Sequence, residues 1–218
     1  MTTARYPFDP RTLLFRACLA GVALLLTASL SRAITPPDLE ALDGLRQKAA
    51  SAQSVQSDFV QETAIPMFAQ PISSKGRFVF KRPDGLLWEY TEPMREGFAM
   101  RGESGARWAG DKGVRTPFTT ASDPLAAIIG RQLVAWIIFD TASIERDFRI
   151  AVTGKNPLEL TMTPARDDMR EIIEAIVIVF TEQGPASRVA VRETRGGTTT
   201  ISFSNTVVNA PVDDAEFK

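Results

Sequence analysis

KGRFVFKRPDGLLWEYTEP, residues Lys75–Pro93, holds two strands, a sharp reversal and one misplaced charge. Phe78 and Phe80 share parity with Arg82, so a strand that turns its rings toward an apolar interior aims a guanidinium the same way. After the turn at Pro83-Asp84-Gly85, Leu86, Trp88 and Tyr90 form a second apolar face, opposite Leu87, Glu89 and Thr91. The stretch is a hairpin with a cation at its inner corner.

Working outward, short alternating runs separated by turn residues continue on both sides. Val55–Ile65, Gly76–Arg82, Leu86–Thr91, Gly97–Arg101 and Ala106–Ala109 precede an apolar segment, and Phe148–Thr153, Leu158–Thr163, Ile172–Thr181, Arg188–Thr194 and Thr199–Ser204 follow it. Their spacing of about ten residues predicts an antiparallel meander instead of parallel βαβ units. Ile172–Phe180 is apolar at nearly every position and reads as a strand covered on both faces. Pro66 and Pro71 bound a loop whose Met67 and Phe68 are either exposed or tucked beneath it.

Two helices accompany the strands. Pro36–Gln53 places Leu39, Leu42, Leu45, Ala49 and Ala52 on one stripe and Glu40, Asp43, Arg46, Gln47 and Lys48 on the other side. Pattern alone does not separate a lid from a brace. Asp123–Phe139, with Asp123 as N-cap and Pro124 at the first helical position, is apolar almost all round. Such a helix is either a core element or faces something other than water.

Composition narrows the chemistry. The chain contains no histidine, and its one cysteine, Cys18, lies in an N-terminal leader. Most routes to nucleophilic, imidazole-base or zinc chemistry are thereby closed to the remainder, leaving carboxylates and lysine as the groups that could catalyse. Asp167-Asp168 and Asp213-Asp214 are adjacent pairs in a turn and in the tail, which is the wrong spacing for a shared substrate. No catalytic, metal or cofactor site is expected.

The leader has Arg11 and Arg16, an apolar run from Leu19 to Leu30, and Ser31-Arg32-Ala33 with small residues where a signal peptidase reads. That run is well short of the roughly twenty residues that span a bilayer. Cleavage after Ala33 and export to the periplasm are expected, leaving 34–218 as a single domain. Loss of Arg5, Arg11, Arg16, Arg32 and Asp9 moves the formal net charge from −1 to about −4, which argues against nucleic acid as a partner.

The hairpin resembles the LolA-like family of periplasmic outer-membrane lipoprotein carriers. The family signature, aromatic-x-aromatic-x-Arg-Pro followed by Trp and Pro, corresponds to Phe78, Phe80, Arg82, Pro83, Trp88 and Pro93. Weaker similarity runs from Leu39 to Phe217, through Asp58-Phe59-Val60-Gln61 and the closing Val212–Phe217. The resemblance implies an α+β, mostly β fold: an incomplete antiparallel barrel of about ten or eleven strands, whose hydrophobic cavity is covered by a helical lid. It further implies that this cavity holds the acyl chains of a lipoprotein or other lipid. The donor would be an inner-membrane exporter, the acceptor an outer-membrane protein, and the shuttle a monomer.

On that resemblance Arg82 is the lid latch, hydrogen-bonded to lid backbone; the alternative is a hairpin-corner arginine that reaches solvent. Phe59, Phe78, Phe80, Leu86 and Trp88, on or beside motif positions, are expected in the cavity wall. Ile128, Leu133, Trp136 and Ile137 are added because they are apolar positions of the second helix. A glycolipid is an alternative cargo. A periplasmic sensor that binds lipid through the same fold, and a structural module with a filled core, are the competing functions.

Overall fold

The computed structural model describes residues 36–110, 113–123, 130, 133–137 and 139–217. Helix α1 (Pro36–Ser51) leads into strands β1 (Ser54–Ala64), β2 (Ile72–Lys81), β3 (Gly85–Glu92), β4 (Glu96–Arg101), β5 (Ser104–Ala109) and β6 (Thr116–Thr119). Helix α2 is described at residues 130 and 133–137, and α3 spans Thr141–Asp147. Strands β7 (Phe148–Lys155) and β8 (Leu158–Pro164), a short helix α4 (Asp167–Arg170), and β9 (Ile173–Phe180), β10 (Ala186–Glu193) and β11 (Thr198–Val208) follow, ending in a 3₁₀ turn at Asp214–Phe217. The signal-peptide expectation, the Asp123–Pro124 helix start and Ile128 as a wall residue lie wholly or in part outside the described residues.

All eleven strands form one sheet in the order β6-β5-β4-β3-β2-β1-β11-β10-β9-β8-β7, antiparallel throughout. Two meanders, β1–β6 and β7–β11, meet where the first and last strands pair, with Phe59 opposite Phe203. The outermost strands β6 and β7 are not paired with each other, so the barrel is incomplete. A bulge at Gln56/Asp58 shifts the β1–β11 register; Asn205 opposite it has φ 52 and donates to Asp58 Oδ2 at 2.8 Å. Bulges of this kind sharpen the local bend, which a long sheet needs in order to curl.

Helices α1, α2 and α3 cover the inner face. Leu42, Leu45, Phe139 and Ile144 pack with Leu160, Ile176, Ile178 and Phe180 over the second meander, while Leu133, Val134 and Ile137 lie against the aromatic wall of the first. Contact at β4 is possible because residue 130 is glycine: a Cβ there would lie 2.1 Å from Met100 Sδ. Ile176, Ile178 and Phe180 are buried whereas Val177 and Val179 are half-buried, so β9 is not covered on both faces as expected. The helices supply cover on one side only.

The stripe of α1 also differs from the expected one. Leu39 is 49% exposed, and the buried position of the first turn is Asp38, whose carboxylate meets Lys155 Nζ at 3.2 Å. Positions 38, 42, 45, 49 and 52 make a continuous i+3/i+4 line, and an acid in the first turn is favoured by the helix dipole. The Met67–Phe68 loop is resolved in favour of exposure, at 88% and 59%. Among the described residues no helix is long and apolar enough to cross a membrane.

The outer face of β2–β5 is covered as well. Val212 and Phe217 close over Val79, Leu87, Ala99 and Trp108. Asp214 accepts from Lys81 at 2.6 Å and pairs with Arg101 at 2.7 Å, and Glu216 accepts from Arg77 at 2.9 Å. Beneath this strap Glu89, 3% exposed, is bonded by Arg77 at 2.7 Å and Arg95 at 2.9 Å. Asp214, half-exposed in the tail, is thus part of a clasp.

That clasp is acid-sensitive in a defined direction. The bonds from Lys81 and Arg101 push the Asp214 carboxyl down to about 2. Burial alone would raise Glu89, but the bonds from Arg77 and Arg95 outweigh it and leave the group below its ordinary value. A folded-state value below the unfolded one gives stability that is complete above the unfolded value, near 3.8 for Asp214, and is lost as pH falls toward 2. Amide resonances of residues 212–217 should move together between about pH 5 and pH 2, and Asp214→Asn should weaken that transition. Resonances that stay fixed over this interval would show that the strap does not depend on these carboxylates.

Candidate functional site

Arg82 ends the β2 arm of the hairpin and meets the C-terminus of α1. Its Nε donates to Ala52 O at 2.7 Å and its Nη2 to Ala49 O at 2.9 Å, while its backbone N–H donates to Gln53 O at 2.8 Å. The last carbonyls of a helix lack intrahelical donors and carry partial negative charge, so a half-buried guanidinium is a suited partner. The parity that aims Phe78 and Phe80 inward delivers Arg82 to these carbonyls and not to open solvent.

Helix α1 is tied at two further points. Lys48 Nζ donates to Glu182 O, in the β9–β10 turn, at 2.6 Å, and Asp38 meets Lys155 at the end of β7. The helix thus bridges both meanders and is fastened on each side by polar contacts. Its underside is held by apolar packing of Leu42, Leu45 and Ala49.

Beneath α1 and α2 lies an apolar cavity of about 100 Å³. Phe78 and Trp88 line it from the first meander, Leu133, Trp136 and Ile137 from α2, and Phe180, Val189, Ile201 and Phe203 from β9–β11. Five of the nine expected wall residues thus surround one space. Phe59, Phe80 and Leu86 are fully buried and stand behind the lining. Phe59 stacks on Trp88 with centroids 4.4 Å apart and meets Tyr90 edge-on at 5.4 Å. It supports the wall without being its surface.

The lining also includes polar side chains: Lys48 of α1, Gln183 in the β9–β10 turn, and Ser57 and Thr206, which share a 2.8 Å hydrogen bond. Deeper in the wall, the Trp136 indole N–H is buried without a partner. Among the described residues there is no cluster of acidic side chains that would hold a metal. The chemistry available is apolar enclosure, with a few donors at the edge. Lys48 escaped the sequence reading because a lysine on the polar side of an amphipathic helix has no signature of its own.

A family profile described as outer membrane lipoprotein carrier protein LolA matches residues 50–218. The outer-membrane lipoprotein carrier protein of Neisseria meningitidis serogroup B is 26% identical over 196 residues, covering 89% of each chain. Among solved structures, a LolA superfamily protein from Nitrosomonas europaea is 10% identical with a TM-score of 0.42, over 83% of this chain and 96% of that one. LprF from Mycobacterium bovis is 11% identical with a TM-score of 0.46, over 84% and 97%. With the profile spanning most of its length, including the hairpin of Arg82 and the closing strap, this chain belongs to the LolA family of outer membrane lipoprotein carrier proteins.

Proposed function

We propose that this protein is a periplasmic carrier that shields the acyl chains of a lipoprotein or related lipid and delivers it from the inner membrane toward the outer membrane. The observation that carries the reading is the apolar cavity roofed by α1, a helix fastened to both meanders by side chains that can let go. Residues 1–33 serve as the cleaved export signal, and 34–218 act as a monomeric carrier domain. An inner-membrane exporter supplies the cargo and an outer-membrane protein accepts it. No catalytic residue or cofactor takes part.

Energetics explain why enclosure is sufficient. Each methylene moved into water costs about 0.8 kcal/mol, so a sixteen-carbon chain represents about 12 kcal/mol. A cavity that replaces water with Phe78, Trp88, Ile137 and Phe203 offsets most of this. Ligand pockets are usually about 300–1,000 Å³, so the observed 100 Å³ must widen to admit a chain. Widening requires α1 or α2 to swing, and a lid with two nearly balanced states loads and unloads at low cost.

Native mass spectrometry of gently purified protein, followed by lipid extraction, is the direct test. A carrier is expected to bring an acylated ligand and to pass it to outer-membrane acceptors in an exporter-dependent transfer assay. Protein that arrives without lipid and fails to take up any acyl probe would refute the proposal.

A further inference from the structure

The cavity has an apolar interior and a charged lip, and that asymmetry says how a ligand is oriented. We propose that Lys48 is a head-group site: it receives the anionic group, carboxylate or phosphate, of an amphiphile whose chain lies beneath α1. The inference deepens the carrier reading and rests on it.

Lys48 is singled out by what its neighbours already do. Around α1, Arg46 is paired with Asp43 at 2.7 Å, Lys155 meets Asp38, and Arg82 is spent on Ala49 and Ala52. Lys48 forms no ion pair among the described residues; its ammonium, with three donors, gives one hydrogen bond, to Glu182 O. Among the described residues it is also the cation in the cavity lining. The unpartnered indole N–H of Trp136 belongs to the same lining. Both polar groups are donors, so the complementary ligand is one that brings acceptors.

The β9–β10 turn is shaped around this side chain. Gly184 has φ 111, and a Cβ there would lie 2.8 Å from Lys48 Cβ, so a glycine is needed both for the backbone and for the lysine stem to lie across the turn. The acidic group nearby is the exposed Glu182 side chain, which opposes an incoming anion, though solvent screens it. An anion at Lys48 takes the donors that Glu182 O leaves free, so the head is held beside the β9–β10 turn while the chain lies beneath α1.

Displacement of a neutral fluorescent acyl probe from purified protein tests this with ligand pairs that differ in charge. At about pH 8 and low salt, where the carboxyl is ionised, hexadecanoate should displace the probe about tenfold more effectively than hexadecanol. Palmitoyl lysophosphatidic acid against monopalmitoylglycerol provides the phosphate arm, and a preference in one arm alone identifies the source of the anion. Lys48→Gln should abolish the preference, read as the ratio within each pair so that any change in probe affinity cancels, and Lys48→Arg should restore it. Equal displacement within both pairs by the unmodified protein, or a preference that survives Lys48→Gln, would overturn the head-group site while the carrier reading stands. Absence of any probe binding to the unmodified protein would overturn the carrier reading and this inference with it.

Discussion

Under the proposed carrier function, Arg82→Leu is expected to turn release of ligand into retention. The substitution removes both side-chain bonds to α1, at 2.7 and 2.9 Å, and leaves the Ala49 and Ala52 carbonyls without their charged partner. Hydrogen bonds to a charged group contribute about 1.5–3 kcal/mol each, so even the low end of the sum, about 3 kcal/mol, shifts the balance between closed and open lid about 100-fold. The closed state carries this loss and the ligand-filled state, with α1 displaced, does not. Apparent affinity rises by the same factor, because less closure has to be undone for binding. With delipidated protein and a fluorescent acyl ligand, the variant should show faster uptake and much slower release, and amide exchange in α1 should increase. Arg82→Lys keeps the charge but loses the fork that reaches two carbonyls at once, so it should fall between the two. Equal uptake and release by wild type and Arg82→Leu would remove Arg82 from the mechanism.

How far the sequence reveals this site depends on what alternation does and does not encode. Period-two parity places Phe78, Phe80, Trp88 and Arg82 on the inner face, and the register agrees. Parity selects a face and not a depth, which is why Phe59, Phe80 and Leu86 stand behind the cavity surface although they share its side. Nor does it say what covers the second face: Leu87 and Glu89 are buried by residues 212–217, over a hundred positions away in the chain. Strand β6 went unread because Thr116–Thr119 offers one apolar side chain, Phe118, and contains Pro117, a residue tolerated only at a sheet edge, where β6 lies. On α1 the inward position of the first turn is Asp38, which meets Lys155 across the fold, and hydrophobic spacing alone selects Leu39 instead. Partners distant in the chain hide the inward turn of Asp38 and the cover of β3, whereas composition hides β6. Arg82 was visible only because it breaks an aromatic pattern at a position where the motif expects it.

Phe59 carries the largest expected effect on stability. The ring is 1% exposed, stacks on Trp88, meets Tyr90 and Phe203 edge-on, and lies over the strand position where Gly76 has no side chain. Phe59→Ala should cost about 3–5 kcal/mol from lost burial and the cavity left behind, lowering Tm by about 10 °C. Gly76→Ala attacks the same contact from the other side. Its Cβ would lie 2.3 Å from Phe59 Cζ and 2.2 Å from the backbone oxygen of Glu89, and overpacking of this kind costs about 1–3 kcal/mol. Removing the ring relieves the first clash and not the second, because the β3 backbone cannot retreat without breaking its pairing with β2. The double variant should therefore be more stable than the sum of the single losses by about 1 kcal/mol, yet less stable than Phe59→Ala alone. Chemical denaturation of the four proteins measures this cycle directly. Strict additivity would mean that the Phe59 ring does not rest on Gly76, and the aromatic support behind Trp88 would then have to be built another way.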